Sequence, residues 1–166
     1  MKLKEKDLKF RINSDSVACT IAYGKVFAKT LKEKDVIILE GNLGGGKTVF
    51  TKGVLSGLGY KGRVQSPSFT LIRKYKVNSL EVYHLDLYRL KLKDMFNLGI
   101  DDFLYTQKTI TLVEWGGKIK QDLDRYLKIE FLFLTESSRQ ISFYAKGYSQ
   151  KEINLIKGTK HAVVGY

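Results

Sequence analysis

The segment GNLGGGKT at 41–48 constrains this chain more than any other. A short apolar run of buried-strand type, DVIILE at 35–40, precedes it, and a stretch with helical patterning from Lys47 to about Leu58 follows. The segment matches G-x-x-x-x-G-K-[ST] in full, in the strand–loop–helix setting that its mechanism requires. Gly41, Gly44, Gly45 and Gly46 let the backbone turn tightly, and no Cβ stands between its N–H groups and an anion. The helix start adds its dipole to that anion site. In such a loop Lys47 reaches the β- and γ-phosphates and the Thr48 hydroxyl ligates Mg²⁺. These residues predict a nucleoside triphosphate site. The guanine-reading pattern N/T-K-x-D is missing, because the K-x-D at 120–122 follows Ile119; ATP is therefore the expected nucleotide.

Phosphoryl chemistry at this loop also needs a carboxylate at a strand end to hold the metal or its waters. Two residues qualify: Asp86, ending LEVYHLD (80–86), and Glu114, ending TITLVE (109–114). Strands beside 35–40 would bring both to the phosphates, where open α/β sheets bind ligands. Spacing alone leaves open which of the two touches the metal. SPSFT at 66–70 holds the only proline, Pro67, and its hydroxyls suit either a γ-phosphate sensor or an ordinary turn. His84, two residues before Asp86, reads as a buried structural histidine rather than a base. Cys19 reads as a small core residue and His161 as exposed.

The rest of the chain fits one α/β domain. Its 166 residues suffice for a single core, and the one cysteine excludes a disulfide framework or a multi-Cys zinc site. No apolar run approaches the ~18 residues of a membrane span, and MKLKEKDLKF has no signal-peptide stretch. A cytoplasmic protein with no membrane association is the expectation. The net charge of +12 suggests a polyanionic partner, yet only six of the 29 cations are arginine and the lysines are spread along the chain. That distribution predicts a solvated basic surface rather than direct reading of a nucleic-acid sequence.

Residues 1–10 read as a charged arm or edge strand. Ser14 or Asp15 is the expected cap of a helix running to about Leu31. Strands are predicted at 69–77, 80–87 and 109–115, with a short helix at 93–98. An antiparallel hairpin is predicted from 127–134 and 139–146, joined by TESS. The tail from Gly147 is weakly patterned and expected to be loosely attached, leaving a core of about 10–146. Together these elements predict an α/β three-layer sandwich of the P-loop NTPase type, with a mixed sheet and a C-terminal antiparallel hairpin.

GNLGGGKT (41–48), SPSFTLI (66–72), YHLDLYRL (83–90) and LVEW (112–115), in this order and at these separations, resemble one family. It is the YjeE/TsaE ATPases of bacterial tRNA threonylcarbamoyladenosine synthesis, and the likeness covers roughly 14–145. The resemblance implies that Asn42, Leu43 and the glycines through Thr48 wrap the phosphates, with Thr48 and Glu114 at the magnesium. It implies Asp86 as the acid acting near the metal through water, and Thr70 in a switch-like loop. Trp115 matches a functionally important tryptophan, and Arg139 and Val17 match positions near the nucleotide's base. The chain departs from the family at Gly45, where alanine is usual, and at Val49 and Ser68, where threonine is frequent. The implied activity is partner-activated, Mg²⁺-dependent ATP hydrolysis in concert with a TsaD–TsaB complex, with any tRNA contact indirect. Two other activities compatible with such a loop are a small-molecule kinase and a nucleotide-gated RNA-binding module. The first needs an arginine-bearing lid, for which six scattered arginines give no pattern.

Overall fold

A computed structural model describes residues 7–91, 94, 99–161 and 163, the side chains of 101 and 121 excepted. The predicted helix at 93–98 lies outside the described residues apart from Asp94. Seven strands form one mixed sheet: β1 (Leu8–Ser14), β2 (Val36–Gly41), β3 (Ile72–Val77), β4 (Leu80–Asp86), β5 (Thr109–Glu114), β6 (Tyr126–Phe133) and β7 (Arg139–Lys146). Their order is β1-β7-β6-β2-β5-β4-β3. The four central strands β6, β2, β5 and β4 are parallel, and the outer pairings are antiparallel. β2 and β5 are covered on both faces, and this explains why VIIL and TITLVE are near-continuous apolar runs instead of alternating ones.

Helices α1 (Val17–Phe27) and α2 (Lys47–Leu58) pack on one face, and α3 (Gln150–Gly158) joins them beside β1. Their shared core contains Phe27, Phe50, Val54, Leu55, Ile37 and Leu112. Phe50 is fully buried and contributes about 1.5–3 kcal/mol through that burial alone. On the opposite face a smaller core of Val36, Ile38, Leu85 and Val113 lies beneath the 3₁₀ turns Ile100–Phe103, Gly116–Lys118 and Lys120–Asp122. Among the described residues, short turns therefore make the third layer. No helix among them is long and apolar enough to cross a membrane.

The α1–α2 contact supports the loop that follows β2. A Cβ on Gly24 would lie 2.4 Å from the Phe50 carbonyl oxygen, and one on Gly53 would lie 2.2 Å from that of Ile21. Each glycine costs its helix about 1 kcal/mol in propensity. In return the two backbones meet directly, and this fixes the start of α2 against the sheet.

Several element ends differ from the sequence expectation. The first helix is capped by Ser16, whose hydroxyl accepts from the Cys19 N–H at 3.0 Å, and not by Ser14 or Asp15. Ser14 instead ends β1, fully buried, where Ile12 and Ser14 continue the inward alternation past residue 10. The α-helix stops at Phe27 and a 3₁₀ turn, Ala28–Thr30, carries the chain to Leu31. β3 starts at Ile72 instead of 69 because the Thr70 and Leu71 N–H groups both bond to the Pro67 carbonyl, and Leu71 has φ 63°. β5 stops before Trp115, whose φ of 59° turns the chain.

The described tail residues 148–159 are packed against the core and not loosely attached. A capping box of Ser149 and Glu152 starts α3, and Ile153 and Ile156 are buried against Phe10, Leu127 and Phe143. Arg125 lies 3.6 Å over the Tyr148 ring, pairs with Asp35 at 3.2 Å and with Glu152 at 3.1 Å, and Tyr148 donates to Asp35 at 2.8 Å. Burial, then the neighbouring Asp35, pushes the Tyr148 hydroxyl well above its ordinary range.

The Glu152 carboxyl is held down at about 2, first by the Arg125 guanidinium and then by the Ser149 donors. A depressed carboxyl stabilises fully above its unfolded value of about 4.3 and loses that contribution as pH falls. Amide protection in α3 is therefore expected to drop between about pH 4.5 and pH 2 while β2 and β5 stay protected. Hydrogen exchange measures this, and uniform loss across all three elements would contradict it.

Candidate active site

Chain pairing decides where the chemistry gathers. Leu39 of β2 pairs with Glu114 of β5, and Glu114 pairs with Asp86 of β4. The two carboxylates thus sit side by side next to the strand that feeds the 41–48 loop. They line, with Gly44–Val49, Ser66, Ser68 and Trp115, a cavity of about 240 Å³.

Gly46 caps α2 with φ 107°, and Gly41 leaves β2 with φ 133°. The Gly45 N–H closes a turn on the Asn42 carbonyl at 3.0 Å. The first-turn N–H groups of α2 have no intrahelical acceptors, an arrangement that suits this end of the cavity to an anion. Lys47 is buried, its Nζ bonding the Gly41 and Asn42 carbonyls at 2.7 and 2.9 Å and lying 4.2 Å over the Trp115 ring. Burial lowers its pKa, and Glu114, Asp86 and Glu40 oppose that shift in turn. Tyr88 packs against Trp115, its ring centroid 4.9 Å from that of the indole.

Glu114 Oε1 accepts from the Thr48 hydroxyl at 2.7 Å and lies 2.9 Å from His84 Nε2. Burial raises the Glu114 pKa, but the His84 bond, His84 charge, Thr48 and Lys47 outweigh it and hold the carboxyl below the usual range. Asp86 accepts from the Ser68 hydroxyl through Oδ2 and from the Tyr88 N–H through Oδ1 at 2.9 Å. Ser66 and Ser68 share a hydroxyl contact of 2.7 Å. Thr48, Glu114 and Asp86 present oxygen only, a donor set suited to a hard divalent cation. No cluster of three or more His, Cys, Asp or Glu able to hold a metal occurs among the described residues. A cation here would draw its remaining ligands from phosphate and water.

Three expected site residues stand apart. Thr70 is exposed and outside the cavity, because the Pro67–Leu71 turn aims it away. Val17 is 55% exposed at the start of α1 and does not line the cavity. Arg139 is buried behind the loop, where it donates to Thr20 Oγ1 at 3.1 Å and its Cδ lies 3.3 Å from the position of a Cβ on Gly46. Gly41 and Asn42 serve through their carbonyls on Lys47 without lining the cavity. The Ser66 and Ser68 hydroxyls, which the sequence left open between a sensor and a turn, line the cavity, and the residue that sequence reasoning left out of the site is His84. The strand alternation that puts 84 and 86 on one face was the available signal for His84.

The family model for TsaE, described as threonylcarbamoyl adenosine biosynthesis protein, matches residues 14–141. The chain belongs to the TsaE family. It is 40% identical over 144 residues to the tRNA threonylcarbamoyladenosine biosynthesis protein TsaE of Bacillus subtilis, covering 86% of this chain and 88% of that one. The Treponema pallidum protein of the same name is 36% identical over 134 residues, 80% of this chain and 98% of its own. The crystal structure of B. subtilis YdiB superimposes with a TM-score of 0.75 at 32% identity, covering 92% of this chain and 95% of that one. The seven-stranded mixed α/β fold is thus shared with a solved relative.

Gly46→Ala places a side chain at φ 107° and against Arg139, and is expected to reduce unfolding free energy by about 1–3 kcal/mol. Gly158→Ala, with nothing within 4 Å, is expected to raise it by about 0.4–1 kcal/mol. Denaturant unfolding distinguishes the two; equal effects would contradict this account of the loop.

Proposed function

We propose that this chain binds ATP with Mg²⁺ and hydrolyses it in the cytoplasm, in support of threonylcarbamoyl modification of the adenosine beside the anticodon of tRNAs. The observation that carries the reading is the single cavity joining a glycine-loop helix start, Lys47, the Thr48 hydroxyl and two strand-end carboxylates. The family membership supplies the pathway.

The cavity of about 240 Å³ falls below the roughly 300–1,000 Å³ of sites that enclose a whole small molecule. It suits the phosphate tail, with ribose and base on the rim. Incoming phosphate oxygens exchange the Gly41 and Asn42 carbonyls for themselves at Lys47 Nζ, and the loop amides hold the rest of the charge. Thr48 and Glu114, already in contact, are the expected direct metal ligands, and Asp86 is the expected acid acting through water. Bound Mg²⁺ would neutralise phosphate charge as the γ-phosphoryl departs. Asp86, tied to Ser68, links the 66–70 loop to that end of the cavity and orders the attacking water.

Among the described residues lining the cavity, Lys47 is the only cation. Arginines that stabilise phosphoryl transfer elsewhere are worth about 10³–10⁵ in rate. Hydrolysis by the isolated chain is therefore expected to be slow and to rise when a TsaD–TsaB complex completes the site. Contact with tRNA then runs through that complex.

Two measurements test the reading together: ATP hydrolysis with and without TsaD–TsaB, and mass analysis of tRNA nucleosides from cells carrying Lys47→Ala. The expected results are stimulation by the complex and loss of the modified nucleoside. Unchanged hydrolysis with normal modification in the mutant would refute it.

A further inference from the structure

We propose that His84 is a positioning residue that sets the orientation of the Glu114 carboxylate for a nucleotide-bound cation. This rests on the magnesium–nucleotide reading above. The β4–β5 register pairs Asp86 with Glu114 and His84 with Leu112. His84 is therefore the diagonal neighbour of Glu114 on the face that carries both acids, within reach across a strand pair. Its Nε2 is 2.9 Å from Glu114 Oε1. An ionised carboxylate only accepts, so Nε2 carries the hydrogen and donates.

Thr48 donates to the same oxygen, at 2.7 Å. Both bonds fall on Oε1, which pins one side of the carboxylate of a residue that lines the cavity. The ring itself cannot reach a ligand, since His84 is fully buried and does not line the cavity. It acts through Glu114.

A second observation separates this role from ordinary packing. His84 Nδ1 is buried with no hydrogen-bond partner among the described residues. A histidine kept only to fill the core would gain from an apolar replacement, because a buried polar atom without a partner is unfavourable. The position keeps a ring whose only satisfied polar atom faces Glu114. Groups that orient a metal-binding carboxylate commonly change metal affinity 10–100-fold when removed.

The test is calorimetric binding of ADP to the full chain, with Mg²⁺ and with EDTA, for wild type, His84→Leu, His84→Asn and His84→Gln. The Gln amide nitrogen reaches the place of Nε2; the Asn amide stops one methylene short. His84→Leu and His84→Asn are expected to reduce the magnesium enhancement of ADP affinity about tenfold. Both should leave affinity in EDTA within about twofold of wild type, and His84→Gln should retain the enhancement. The melting temperature of His84→Leu should match or exceed that of wild type. If His84→Leu does not fold, the contrast between Asn and Gln decides alone. Full enhancement in His84→Asn or in folded His84→Leu, with normal enhancement in wild type, would overturn the proposal and leave the nucleotide reading intact. Wild-type chain that binds no ADP, or shows no magnesium enhancement, would overturn that reading and this proposal with it.

Discussion

The pairing of β2, β5 and β4 as parallel neighbours is the constraint on which the rest of the molecule depends. In that register Leu39, Glu114 and Asp86 end their strands in one row. The chain leaving β2 must then turn immediately through a glycine loop into α2, and Thr48 meets Glu114 at 2.7 Å. A one-residue slip would turn His84, Asp86 and Glu114 to the opposite face. The bonds that Glu114 makes to Thr48 and His84 would break in such a slip and leave buried charge without partners, which opposes it. The register that satisfies the buried acids therefore sets the geometry of the site.

Charge is concentrated in a small volume. Lys47, Glu114 and Asp86 are each nearly inaccessible to solvent, and buried ions are tolerated only when paired and hydrogen-bonded. Each has a local partner set: two carbonyls and an indole face for Lys47, Thr48 and His84 for Glu114, Ser68 and a backbone N–H for Asp86. Those partners belong to four separate segments of the chain, 41–48, 66–72, 83–90 and 112–115. The loop at 66–70 and the strand ends are consequently coupled through side chains that also face the cavity.

Much of this was legible in the sequence because local rules governed it. The glycine loop, α2 from Lys47 to Leu58 and β7 from Arg139 to Lys146 occur where patterning put them. Asp86 and Glu114 were readable as strand-end acids. Element ends set by single backbone conformations were less legible: Leu71 and Trp115 are non-glycine residues at positive φ, and the first delays the start of β3 while the second ends β5 early. Thr70 lies outside the cavity for the same reason, since the Pro67 carbonyl closes a turn that leaves it exposed. The tail carried its own signal in Ser149-x-x-Glu152 followed by Ile153 and Ile156, but its anchoring depends on Asp35 and Arg125, far away in sequence. His84 could be read as buried; its contact with Glu114 needed the strand order.

The most direct test of the central claim is a crystal structure of the chain with a non-hydrolysable ATP analogue and Mn²⁺, whose anomalous signal locates the cation. Phosphate oxygens are expected on Lys47 Nζ and the 44–48 amides, with the manganese peak beside Thr48 and Glu114. An analogue bound elsewhere, or a cation peak away from both side chains, would contradict it.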